Sequence, residues 1–115
     1  MNKQLLKKMA IILVSVAMNG PGNLITYGDL CKKLDNAISP RNLNRPLGAI
    51  SDLALELDFP RISAIVVNHD TYFPGEGFFH EFAGGIPESQ WESFWKKDLE
   101  KIYACENWED FIKAI

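Results

Sequence analysis

Apolar side chains recur at three- and four-residue spacing over most of the chain, the period of helices packed on one side. Leu5, Leu6, Met9, Leu13 and Val16 form one such stripe and predict a helix over 3–18, which Asn19-Gly-Pro-Gly22 stops. Thr26 followed by Asp29 is an N-cap signature, because a hydroxyl and a carboxylate at that spacing can satisfy amides with no intrahelical partner. It opens a second helix ending near Leu34. Ser39-Pro40 starts a third helical segment, with proline at the tolerated first position. Pro46 divides that segment into a short turn over 41–44 and a longer helix to about Leu57, whose buried face is Leu47, Ile50, Leu53, Ala54 and Leu57.

The pattern then changes. Five of the eight residues from Arg61 to Asn68 are apolar and two valines are adjacent, too short a run for another helix and rich in β-formers, so it predicts a strand. Residues 71–79 predict a second strand or extended arm, demoted to a sheet edge by Pro74, Gly75 and Gly77. Pro87 opens a helix with a wide aromatic stripe of Trp91, Phe94, Trp95, Leu99, Ile102 and Tyr103, read as packing on the sheet. Asn107 with Asp110 repeats the cap signature before a last helical turn carrying Trp108, Phe111, Ile112 and Ile115. The expected fold is α+β, a single domain over 1–115. Its core covers 1–80, with a helical extension over 86–115 and helices at both ends packed on a short β-ribbon. Helix, helix, ribbon is the order of a winged-helix module, and the 68–77 ribbon would be its wing.

Composition narrows the class without changing this outline. A chain of 115 residues that is 47% hydrophobic and 23% charged can bury one core without metal or disulfide staples. Lys3, Lys7 and Lys8 precede an apolar run to Met18, and Ser15-Val-Ala17 resembles a signal-peptidase site. That run is too short to span a bilayer, and its single stripe favours a core helix in a cytoplasmic protein. Cys31 and Cys105 form no C-x-x-C pair, so they read as reduced thiols lining the core, with no zinc ribbon or redox motif. No cofactor or metal is expected.

Charge is uneven. Residues 1–62 carry +3 and the remainder −6, which is compatible with a basic contact face on an acidic body. Tyr27, Lys32, Lys33, Arg41 and Arg45 are the candidate nucleic-acid contacts. Ser63, Asn68, His69 and Glu76 are candidates to line a pocket. The two histidines, His69 and His80, lie eleven residues apart with no companion at ligand spacing, so exposed turn residues are favoured over catalysis or metal binding. Gly75-Glu-Gly77 and Gly84-Gly85 lack the Lys-Ser/Thr of a phosphate loop, and positive φ or close backbone approach explains them more simply.

Ile25-Thr-Tyr-Gly-Asp-Leu30, Arg45-Pro-Leu-Gly48 and the Val66-Val67 pair resemble, over residues 24–79, the C-terminal DNA-binding domain of alkylguanine-DNA alkyltransferases and their inactive alkyltransferase-like relatives. The resemblance implies that Tyr27 presses on a target phosphate and that Arg45 enters the base stack in place of a flipped base. The family's Pro-Cys-His-Arg motif aligns with Ile62-Ser-Ala-Ile65, which has neither the nucleophilic thiol nor its histidine, so alkyl transfer is excluded. Two further departures are a four-residue insertion between Tyr27 and Arg45, and Pro46, expected to perturb the helix carrying the arginine. Ile65-Val-Val-Asn68, Pro74-Gly-Glu-Gly-Phe-Phe79 and Phe94-Trp-Lys-Lys-Asp-Leu99 are also similar to a group of small bacterial proteins.

Two functions follow as expectations. One is non-catalytic binding of double-stranded DNA, as a regulator or lesion sensor. The other is a protein-binding module, acting as an immunity, antitoxin-like or anti-defence factor, which the acidic pI and the aromatic C-terminal helix allow.

Overall fold

The computed structural model describes residues 3–115. It is mostly helical, with α1 (Lys3–Met18), α2 (Tyr27–Lys33), α3 (Asn44–Glu56), α4 (Glu76–Phe82), α5 (Trp91–Ala104) and α6 (Trp108–Ala114). Two strands of two residues, β1 (Ile25–Thr26) and β2 (Val66–Val67), pair in parallel, with Ile25 opposite Val66 and Thr26 opposite Val67. Short 3₁₀ turns at Pro40–Asn42, Ile62–Ile65 and Glu88–Gln90 complete the regular structure. The α+β expectation holds at this level.

The helical punctuation follows local chemistry. The Thr26 side chain accepts the Asp29 N–H at 3.1 Å and caps α2. Both α2 and α3 end in Schellman motifs without glycine. Asn36 N–H reaches Cys31 O after Asp35 takes φ 57°, and Phe59 N–H reaches Ala54 O after Asp58 takes φ 64°. Pro46 falls in the first turn of α3, where amides have no intrahelical acceptor, so it is buried in an intact helix and the expected perturbation does not occur. Asn107 precedes α6, yet its side chain accepts from the Cys105 thiol and makes no helix-capping bond.

The β-ribbon expectation is corrected. Most of the predicted strand over 61–68 is the Ile62–Ile65 3₁₀ turn, leaving only Val66 and Val67 extended. They pair with β1 rather than with residues 71–79. The predicted second strand is a tight loop followed by α4. In that loop Asn68 N–H donates to Phe73 O at 2.9 Å and Tyr72 N–H donates to Asn68 O at 2.9 Å. Burial explains the difference. Every residue from Ile62 to Val67 is buried, so its polar backbone needs partners on several sides rather than one antiparallel neighbour. Ser63 N–H donates to Ser51 Oγ of α3, Ala64 O accepts the Trp95 indole N–H of α5 at 2.7 Å, and β2 has β1. Residues 76–82 become helical because Phe78 and Phe82 stand one turn apart and Phe79 stacks on Trp91 of α5, with ring centroids 4.4 Å apart.

The core surrounds this segment. Met9, Leu13, Ile50, Ile65, Phe79, Ile102, Trp108 and Phe111 are nearly or wholly inaccessible and belong to one apolar cluster. Cys31 is buried within it, Cys105 packs against it, and both thiols are free.

One charged group shares the interior. Asp98 on α5 is 5% exposed, with its carboxylate 3.4 Å from the Arg61 guanidinium. That guanidinium lies between the rings of Phe82 and Phe94, 5.1 and 4.9 Å from their centroids. Burial raises the Asp98 pKa, and the charges of Arg61 and Lys101 offset part of that rise. A raised folded-state pKa means that the folded protein holds this proton more tightly than the unfolded chain. The contribution is therefore complete below the ordinary aspartate pKa and is lost as pH rises through the raised value. Asp98→Asn removes this dependence. The melting temperature of the variant relative to wild type is expected to climb as pH rises above the ordinary aspartate pKa of about 4. Thermal melts across that range check it, and a flat or falling difference would contradict the assignment.

Candidate functional site

The sequence candidates separate into a cavity, a groove and an outlying loop. The cavity, of about 330 Å³, lies where α2, α3, the 62–65 turn and α4 meet, within the size range of small-molecule sites. Tyr27, Arg45 and Ser63 all line it, although they come from three separate segments. Arg45 also edges an adjoining groove that includes Arg41, Asn42 and Ile38. Lys32 and Lys33 end α2 as exposed side chains. Among the described residues, neither these lysines nor Arg41 and Arg45 make an ion pair.

Asn68, His69 and Glu76 do not line the cavity. Asn68 is occupied in closing the 68–73 loop, where its amide donates to Phe73 O. His69 sits 3.4 Å from Asp70, with both side chains almost fully in solvent. Glu76 is exposed in the first turn of α4. Of the four pocket candidates, only Ser63 belongs.

Polar contacts hold the walls in place. The Tyr27 hydroxyl accepts the Gly75 N–H at 2.9 Å, tethering the start of α4 to the start of α2. Burial pushes the Tyr27 phenol up and this bond offsets part of the rise, so the group keeps its proton at neutral pH and remains a donor. Ser51, fully buried on α3, accepts the Ser63 N–H at 3.0 Å and donates its own proton to Ser63 Oγ at 2.6 Å. Donation by Ser51 leaves the Ser63 hydroxyl hydrogen available to an acceptor in the cavity. No histidine lines the cavity to act as a base for that hydroxyl, and the thiol of buried Cys31 is raised in pKa by desolvation and unreactive.

Two glycines bring α3 and α4 close enough to shape the space. A Cβ on Gly48 would lie 3.1 Å from Glu81 Oε1, and one on Gly77 would lie 2.7 Å from the Asn44 side chain. Neither has positive φ, so their role is close approach rather than backbone freedom. Glu81 and Asn44 thereby join the lining beside Leu47, Phe78 and Phe82. Sequence reasoning missed Asn44, Leu47, Phe78 and Phe82 as site residues, and weighed Glu81 only as one of the acids around His69 and His80, favoured as exposed turn residues. The available signal was Phe78, Glu81 and Phe82 at helical spacing, which the nearby Pro74, Gly75 and Gly77 outweighed. Among the described residues, no group of three or more His, Cys, Asp or Glu is placed to hold a metal ion.

No family model, curated protein or solved structure matches the chain.

The two serines are not equivalent. Ser51→Ala strips a buried N–H of its acceptor and is expected to destabilise the fold by about 1–3 kcal/mol. Ser63→Ala leaves that N–H bonded and should cost less. Urea denaturation of the two variants measures the order, and the reverse order would contradict the hydrogen-bond assignment.

Proposed function

We propose that the protein is a non-catalytic double-stranded DNA-binding domain of winged-helix character, working in the cytoplasm as a regulator or lesion sensor. The loop over 68–75 and the start of α4 take the place of a stranded wing. The observation that carries this reading is the position of Arg45. It is exposed and unpaired on the first turn of α3, at the edge shared by the cavity and the Arg41 groove. A guanidinium there can enter a base stack while a displaced base occupies the cavity. Arg41, Lys32 and Lys33 supply phosphate contacts that position the duplex without reading its sequence. No helix among the described residues is long and apolar enough to cross a membrane.

A protein-binding role has one specific observation in its favour. α1 and the end of α6 bound an apolar groove with Leu6, Leu53 and Ile115 at its walls and Lys3 and Lys7 at its rim. Such a surface suits an acidic amphipathic helix of a partner, as an immunity or antitoxin-like factor would require.

Fluorescence anisotropy with a labelled duplex separates the two. Wild type is expected to bind at low salt and weaken steeply as salt rises. Arg45→Ala should bind about tenfold more weakly, while Arg41→Ala should lower affinity uniformly across sequences and reduce the salt slope by about one. Both residues are exposed, so melting temperatures should change little. Absence of binding even at low salt ends the DNA reading and directs attention to the α1–α6 groove.

A further inference from the structure

Glu81 is the one acidic side chain lining the Tyr27–Arg45 cavity. Its carboxylate lies against Gly48, where a Cβ would stand 3.1 Å from Oε1 and push the carboxylate aside by a few tenths of an ångström. Among the described residues it makes no hydrogen bond or ion pair, and Arg45, on the same cavity, is not within ion-pair distance of it. The side chain is exposed to solvent, and the aromatic residues Tyr27, Phe78 and Phe82 line the same cavity. An unpaired carboxylate beside aromatic faces attracts cations and N–H donors and repels anions. A phosphate is therefore a poor occupant, and a neutral base whose facing edge carries only acceptors gains nothing from Glu81.

We infer that this cavity takes a flat, positively charged heteroaromatic group, and that Glu81 is the residue that selects its charge. In a duplex, the matching chemistry is an extruded base made cationic by alkylation on a ring nitrogen. That source rests on the DNA-binding reading, whereas the charge selection rests on the cavity alone. The Ser63 hydroxyl, already accepting from Ser51, has its proton free for an acceptor atom on such a ring. The aromatic faces provide stacking, and Arg45 at the outer edge stays on the duplex side.

Two measurements distinguish the parts. Titration of 1-methyladenosine, a cation at neutral pH, and of neutral adenosine is followed through the backbone amide resonances of Gly48 and Gly77. Saturable shifts are expected with the cation at about tenfold lower concentration than with adenosine. In Glu81→Gln, which keeps the side-chain shape and folds like wild type, that preference should vanish. Anisotropy is then read on three duplexes that differ only at one central base: adenine, 1-methyladenine, and the neutral O6-methylguanine. Wild type should favour the 1-methyladenine duplex by about tenfold, and Glu81→Gln should bind all three alike.

Equal shifts with the two nucleosides, or none up to millimolar concentration, overturn the inference whatever the duplexes show. A preference for O6-methylguanine also overturns it. If the nucleoside preference holds and no duplex binds, charge selection stands and the DNA-binding reading falls. If duplexes bind without discrimination and the nucleosides show no preference, the reverse is true.

Discussion

The burial of six consecutive residues, Ile62 to Val67, is the constraint on which the rest of the structure depends. A peptide segment with no access to water must find partners for its amides and carbonyls inside the protein. Here the partners come from three directions: β1, Ser51 on α3 and Trp95 on α5. α1 packs against the same segment from another side. A parallel pair two residues long contributes little by itself, and the apolar contacts around it supply most of the stabilisation.

This segment also determines where the cavity lies. Its Ser63 end lines the cavity, held by the Ser51 hydrogen bonds, while its Val66-Val67 end aligns β1 and so places the start of α2 with Tyr27. The stack of Phe73, Phe79 and Trp91 presses the following loop and α4 onto α5, and the Tyr27–Gly75 hydrogen bond closes the other side. Arg61, just before the segment, stacks on Phe82, whose ring also lines the cavity. The cavity and the buried Arg61–Asp98 pair therefore share one aromatic wall, which couples the packing of the interior to the shape of the site.

The charges fit the same arrangement. Basic side chains lie at the C-terminal end of α2 and from Arg41 to the beginning of α3, while ten of the fifteen acids belong to the chain beyond residue 62. An acidic body limits non-specific attraction to polyanions. Glu81 adds a single negative charge to a cavity otherwise lined by Arg45 and by neutral polar, apolar and aromatic residues.

Local chemistry alone determined the helices over 3–18, 27–33 and 91–104, since each has a continuous apolar stripe or a cap whose partners lie within one turn. The same holds for a short turn followed by a longer helix over 40–56, although the break falls at Leu43 and Pro46 lies inside the helix, and for the grouping of basic residues before it. Residues 61–82 could not be read this way. Their composition is β-rich and broken by Pro74, Gly75 and Gly77, which describes an edge strand equally well as a buried turn followed by a helix. The choice was made by neighbours far away in the chain: Ser51, Trp95, Trp91 and β1 each supply a hydrogen bond or stacking face that a hairpin would forgo. Glu81 and Asn44 entered the site for the same reason, because close approach between helices at Gly48 and Gly77 is a property of packing, and sequence spacing carries no record of it.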